Sequence, residues 1–314
     1  MGASTKNQGR DTCTVKGLID EYIESYAKPK KMSWHEDLRV LNKEVLPKWK
    51  YIPTSEITKQ DVTKLLDRIG KSGGVPNKIL KVLLSMFAFA VSRNIVEINP
   101  CSDLEVLNED TPKERIFKVD EIRKIWFGLE KAKMSESMRS VLKFLLVTGQ
   151  RNGEVAGAKW EEFNLRDKWW TIPGTRTKNK KSHQVFLTPM VIDILGQARK
   201  HGWVFPSGKD KHIAPRAVSL AIRNNSEKRT PKKPAYGDFF KVGQFIPNDL
   251  RRTAATLMAD AGVEETHIAK VLNQATTASS HDPEIRQALE TWEQKLQAIL
   301  FGWRNPKPII KNFE

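Results

Sequence analysis

Three basic side chains stand where their neighbours could aim them at a phosphate. Arg151 lies in VTGQRNGEV (147–155), just past an apolar run that Gly149 can end in a left-handed conformation, turning the following residues into a cleft. Lys178 lies in PGTRTKNKKS (173–182), a basic turn between two short apolar runs. Arg251 lies in IPNDLRRTAATLMADAG (246–262), in the first turn of a helix whose N-terminal dipole also favours an anion. Taken singly, each has an ordinary reading as well: a salt bridge at a helix end, a solvated turn, or surface charge near a helix start. Their order and local settings, taken together, point to phosphate chemistry.

The whole chain carries a matching charge. It has 314 residues, with 53 Lys+Arg against 37 Asp+Glu, a formal charge of +16 and a pI near 9.7. A surplus of that size suggests a polyanionic partner, with nucleic acid first, because phosphate neutralisation releases counterions whatever the sequence bound. At 39% hydrophobic residues the chain is too apolar for disorder and long enough for two domains. Cys13 and Cys101 make no C-x-x-C pair, and the six histidines are too scattered for a zinc pattern, so neither metal nor cofactor is expected. No apolar stretch reads as a membrane span or a secretory signal, which makes the expected setting cytoplasmic.

The elements that position the three basic residues follow from periodicity. After a polar start (1–11), Val15, Leu18, Ile19, Tyr22 and Ile23 recur at helical intervals. Ser33 with Glu36 has capping-box spacing and predicts a helix to about Trp49; Thr58 with Asp61 opens a third helix in the same way. Pro76 starts a fourth, with Ile79, Leu80, Leu83, Leu84, Phe87 and Val91 on its apolar positions, stopped by Asn99-Pro100. These predict a small all-α domain over 12–107, followed by a linker in the charged NEDTPKERI (108–116). The remainder, 117–300, is mixed: helices near 119–132 and 137–148, strands KWWTI (168–172) and HQVFL (183–187), then helices near 189, 214, 249, 263 and 284. RTPKKPAYGDFFKVGQ (229–244) reads as a basic surface insertion, and 301–314 as a tail. The fold class expected is mainly α with a small antiparallel β-sheet, arranged as a two-domain DNA clamp.

The order TGQRNGEV, a hairpin lysine, NDLRRT and a helix over 263–274 resembles the catalytic domain of the tyrosine recombinases, especially prophage and genomic-island integrases. FAFAVSRNIVEINP (87–100) resembles the end of that family's core-binding domain, WTIPGTRTKNKKSHQVFLTP (170–189) its lysine hairpin, and PEIRQALETWEQKL (283–296) the helix after its nucleophile. The likeness extends over roughly 14–300. It implies a bacterial, nucleoid-associated protein that binds double-stranded DNA and self-associates on it as a dimer or tetramer, with no membrane partner. Members of the family cut DNA by attack of a tyrosine hydroxyl on a phosphodiester, giving a 3′-phosphotyrosine and a free 5′-hydroxyl. By that resemblance Arg151 and Arg251 are the forks on the non-bridging oxygens, and Lys178 protonates the leaving oxygen. Glu154 would brace the active-site structure or serve only helix solubility, and Lys180, Lys181, Arg252 and His183 are expected to touch DNA. The tail would dock on a neighbouring subunit through Trp303, Ile309 and Ile310, or stay unstructured.

Departures from the family pattern are as informative. Asn248 stands where the family has a histidine, and Gln274 where it has histidine or tryptophan; neither amide can shuttle a proton near neutral pH. The family's tyrosine falls in ATTASSHDP (275–283), which is short and holds none; Tyr22, Tyr26, Tyr51 and Tyr236 all precede Arg251. Ser279, Ser280, Thr276, Thr277 and Tyr236 are the candidate substitute nucleophiles, against a plain linker reading of the loop. The leading expectation is a recombinase-like DNA-binding protein impaired in strand cleavage. Its rivals are an active recombinase with an unusual nucleophile and a non-catalytic basic nucleic-acid-binding protein.

Overall fold

Apolar residues at three- and four-residue spacing bury against one another in the computed structural model, which describes residues 13–31, 33–72, 75–104, 115–227, 235–274 and 281–302. The chain divides into two compact units, Met1–Pro112 and Lys113–Glu314.

In the first unit α1 (Val15–Tyr22) starts at Thr14, whose side chain accepts from Gly17 N, and continues through a π turn (Ile23–Ala27) into Lys28–Lys30. The second helix, α2 (Trp34–Val40), likewise passes through a π turn (Leu41–Val45) into Leu46–Trp49. The capping box expected at Ser33 does not form: Ser33 has φ −94 and ψ 17, outside the extended region a cap needs, and the Glu36 carboxylate pairs instead with Arg39 and Lys78. The box expected at Thr58 does form at the start of α3 (Lys59–Lys71): Asp61 N donates to Thr58 Oγ1 and Thr58 N to Asp61 Oδ2. Helix α4 (Pro76–Ser92) completes a core centred on Leu18, Tyr22, Leu41, Leu83 and Phe87. One polar network enters it: Lys31 Nζ donates to Asp37 (2.8 Å), Tyr22 Oη (2.7 Å) and Ser85 Oγ (2.9 Å). Burial comes first among the causes that push the Tyr22 phenol up.

The second unit is built around α6 (Glu136–Thr148), preceded by α5 (Val119–Lys131) and followed by the short α7 (Asn152–Ala156). A hairpin follows, with β2 (Trp169–Ile172) antiparallel to β3 (His183–Phe186), pairing Trp170 with Val185 and Ile172 with His183. A third strand, β1 (Phe163–Asn164), joins β2; Phe163 stacks on Trp170 with ring centroids 5.3 Å apart, a contact too short in sequence to show as periodicity. Then come α8 (Pro189–Leu195), α9 (Pro215–Asn225), a two-residue pair of strands β4 (Ser226–Glu227) and β5 (Gly237–Asp238), α10 (Pro247–Asp260), α11 (Glu265–Val271) and α12 (Pro283–Phe301). Trp292 of α12 is fully buried and donates Nε1–H to Leu146 O at 3.1 Å, which seats the last helix against the end of α6.

The stretch 229–244 differs from its expectation as a surface insertion. Its described part carries Phe240, fully buried, which packs edge-on against Phe245, while Arg115 donates to the carbonyls of Val242 and Gln244. Gly128 of α5 lies so close that a Cβ there would stand 2.6 Å from Phe239 O. Its basic composition hides an aromatic anchor.

Candidate functional site

The site grows from how α11 ends. Asn273 has φ 50 and donates its N–H to Lys270 O (3.0 Å), while Gln274 N–H reaches back to Ala269 O (2.8 Å). This Schellman arrangement satisfies two carbonyls near the helix end and leaves those of Val271 and Leu272 seeking donors. Three side chains from elsewhere supply them. Gln150 Nε2 donates to Val271 O (2.8 Å), His183 Nε2 meets the same oxygen at 3.1 Å, and Arg251 Nη2 donates to Leu272 O (2.6 Å).

Arg251 is 6% exposed, and its other terminal nitrogen, Nη1, donates to Gly149 O at 2.9 Å. It is carried in by α10, where Asp249 accepts Ile246 N–H (2.9 Å) and Arg252 Nη1 (3.3 Å). Gly149 has the left-handed φ of 65 that its place after α6 requires, and a Cβ there would meet Leu272 Cδ2 at 3.3 Å. The turn it permits presents Arg151, whose side chain is 28% exposed. Glu154, 2% exposed, accepts Arg151 N–H (3.1 Å) and Nη1 (3.4 Å), so the carboxylate that reads in sequence as brace or solubility is a brace.

The two arginines lie within each other's field. Burial first, then the Arg151 charge, pushes Arg251 down to about 10, while Glu154 opposes the shift; Arg251 stays a cation at neutral pH. Burial pushes His183 down to about 4, opposed by the Val271 carbonyl and reinforced by Arg251 and Arg151. A neutral imidazole therefore lies beside two guanidinium groups. His183 is buried by the pairing of β3 with β2 and faces Val271, so the expectation that it contacts DNA from the hairpin surface is corrected: it is an interior hydrogen-bonding group.

Lys178, Lys180 and Lys181 are exposed on the turn between β2 and β3, with Lys180 in the left-handed region at φ 59. Asn248 is exposed in the first turn of α10, and Gln274 is exposed just after Asn273. Arg252 is partly exposed beside Asp249. Thr276, Thr277, Ser279 and Ser280 lie outside the described residues, as do Trp303, Ile309 and Ile310. Tyr236 is exposed next to β5, with its N–H on Asn224 O at 2.6 Å; among the described residues it has no hydrogen bond or ring contact to either arginine. Both flanks of 275–280 are tied to the unit: Lys270 pairs with Asp282 (3.0 Å) and Glu284, and His281 N–H donates to Gln184 Oε1 (2.6 Å).

Gln150, Arg176, Asn179 and Asn273 escaped the sequence reading. Gln150 finds its partner 121 positions away and Asn179 finds Asn273 94 positions away, distances at which no local pattern gives a signal. Among the described residues no group of three or more His, Cys, Asp and Glu side chains could hold a metal ion, and no helix is long and apolar enough to cross a membrane.

Residues 115–279, just over half of the chain, match the model of the phage integrase family. Prophage integrase IntZ of Escherichia coli (strain K12) is 25% identical over 98% of this chain and 74% of its own length; prophage integrase IntA of the same organism is 22% identical, over 84% of this chain and 65% of its own. Among solved structures, a lambda integrase (75–356) dimer bound to a COC′ core site superposes with a TM-score of 0.60 at 16% identity, covering 85% of this chain and 98% of that one. An arginine-to-lysine variant of the Tn1549 transposon integrase (82–397), in complex with a circular intermediate DNA, superposes with a TM-score of 0.59 at 14% identity, over 88% and 99%. These matches establish that the chain belongs to the phage integrase family of tyrosine recombinases.

Proposed function

We propose that this protein binds duplex DNA through one backbone phosphate gripped by Arg151 and Arg251, with Lys178 reaching the same phosphodiester, and that it is impaired in cutting the strand. The observation that carries the reading is the buried Arg251, held by two carbonyls and electrostatically coupled to Arg151. Two guanidinium groups whose charges act on each other repel, a cost that an anion reaching both relieves. Among the described residues Arg251 uses one donor on each terminal nitrogen and the Arg151 side chain one on Nη1, and a guanidinium carries five. Lys180, Lys181 and Arg252 extend the basic surface, and the two structures compared above are, in one case, a lambda integrase dimer on a core site and, in the other, an integrase with circular intermediate DNA. Self-association on DNA, a role in DNA integration or recombination, and a DNA-binding role for the helical first unit belong to the same proposal.

Impaired cleavage follows from composition. Two arginines and a lysine stabilise a transition state, but a covalent phosphoryl intermediate needs a nucleophile, and none of the four tyrosines follows Arg251. Asn248, where the family has a histidine, and Gln274, where it has histidine or tryptophan, can hydrogen-bond a phosphate without moving its proton. The test is a nicked duplex that traps any covalent adduct, followed by peptide mapping. Saturable, salt-sensitive binding with no adduct is the expected result. An adduct on Ser279, Ser280, Thr276, Thr277 or Tyr236 would make the protein an active recombinase with a substitute nucleophile. Unchanged binding after Arg151→Ala would remove the phosphate grip.

A further inference from the structure

We infer that Arg176 and Asn179 are positioning residues that hold the Lys178 turn in a preset register against the arginine pair; the inference rests on the reading of Lys178 as a phosphate contact. Arg176 leaves the turn inward. Its Nη1 donates to Glu154 O (3.1 Å) and its Nη2 to Glu162 Oε2 (2.6 Å). The same carboxylate oxygen accepts Nε1–H of the fully buried Trp170 at 2.9 Å, so the anchor is itself fixed. Glu154 is the residue whose carboxylate holds Arg151, which makes the lysine turn and Arg151 share one support. Gly157 leaves room for this crossing: a Cβ there would stand 3.0 Å from Arg176 Nη1.

The second tether leaves the other side of Lys178. Asn179 Nδ2 donates to Asn273 Oδ1 at 2.7 Å, and Asn273 follows Leu272, whose carbonyl receives Arg251. Within the turn, Thr177 Oγ1 donates to Lys181 O (2.7 Å), and Gly174 approaches Lys180 O so closely that a Cβ would lie 2.5 Å away. Lys178 therefore stands exposed between one tether to the Arg151 support and another to the Arg251 support. A loose basic turn would have to be ordered on binding, at about 1–2 kcal/mol of backbone entropy per residue. A turn already ordered by Arg176 and Asn179 avoids that cost, and its tethers act on affinity through Lys178.

A double-mutant cycle in the full chain tests this, with binding of a fluorescently labelled mixed-sequence duplex measured at fixed low ionic strength. Lys178→Ala, Arg176→Ala and Asn179→Ala are each expected to weaken binding, the last two by about 3- to 10-fold, in the lower part of the range that coupled neighbours give. In the Lys178→Ala background the Arg176→Ala and Asn179→Ala losses should vanish, because the tethers then position nothing. Amide exchange over 174–182 should quicken in both tether variants, and in Asn179→Ala, at an exposed residue, the global unfolding midpoint should move little. If Lys178→Ala binds like wild type, the reading of Lys178 as a phosphate contact falls and the inference with it. If Lys178→Ala weakens binding but the tether losses persist undiminished in that background, Lys178 keeps its role and the positioning inference is overturned. Should Arg176→Ala fail to fold, the Asn179 cycle decides by the same two outcomes.

Discussion

Arg251 is almost wholly buried with both terminal nitrogens donating to backbone carbonyls, whereas Lys178 stands exposed on a turn whose flanking side chains do the holding. The arginine is part of the interior: it completes the end of α11 and the turn after α6, so its removal is felt by the fold. The lysine is supported by the interior without belonging to it. The contrast suggests that one site can hold two kinds of residue, one inseparable from stability and one separable from it. Mutation should tell them apart.

The largest effect should come from Arg251→Met, which strips donors from Gly149 O and Leu272 O inside a packed region. We expect a loss of about 4 kcal/mol in unfolding free energy, from two buried acceptors at a few kcal/mol or less each, read by denaturant titration. A loss below about 1 kcal/mol would mean that water replaces the guanidinium freely and that the contrast is not one of burial.

Acid should strike the same region next. The folded pKa of His183, about 4, lies below its ordinary 6.5, so between these values the unfolded chain binds the proton that the folded chain refuses. The stabilising contribution is complete above pH 6.5 and is lost as pH falls toward 4, by about 3 kcal/mol at the lower end. His183→Gln should flatten this part of the pH–stability curve, and an unchanged slope would assign the acid loss to other groups. Glu154→Ala comes third, at about 2 kcal/mol, because it leaves Arg151 N–H without its capping acceptor and removes a buried pairing charge.

The smallest stability effect belongs to the lysine turn. Reversing Lys178, Lys180 and Lys181 to Glu together should change unfolding free energy by less than about 0.5 kcal/mol, as surface positions do, while lowering DNA affinity and flattening its salt dependence. Unfolding of this variant would show the turn to be structural and would erase the contrast with Arg251.

Much of the site was legible because its signals are local. Gly149 after an apolar run announced the left-handed turn before Arg151, Thr58 with Asp61 announced a cap, and short runs rich in aromatic and branched residues announced β2 and β3. Ser33 departs from its expectation because its backbone is not extended there, and the Glu36 carboxylate pairs with Arg39 and Lys78. His183 misled because it sits among lysines in sequence, while β pairing turns it inward.

Helix periodicities, turn glycines, the charge surplus, the order of the three basic residues and the lack of a tyrosine after Arg251 are all written in the order of amino acids, since each depends on residue type or on neighbours within a few positions. Which donors meet the open carbonyls of Val271 and Leu272 is another matter. Gln150, His183 and Arg251 arrive there from three separate stretches of chain, and Asn179 reaches Asn273 from a fourth contact across the unit. Those pairings exist only once the packing of α6, α10, α11 and the hairpin brings unsatisfied backbone groups and distant side chains into reach, because a hydrogen bond is selected by position in space and carries no trace in sequence separation.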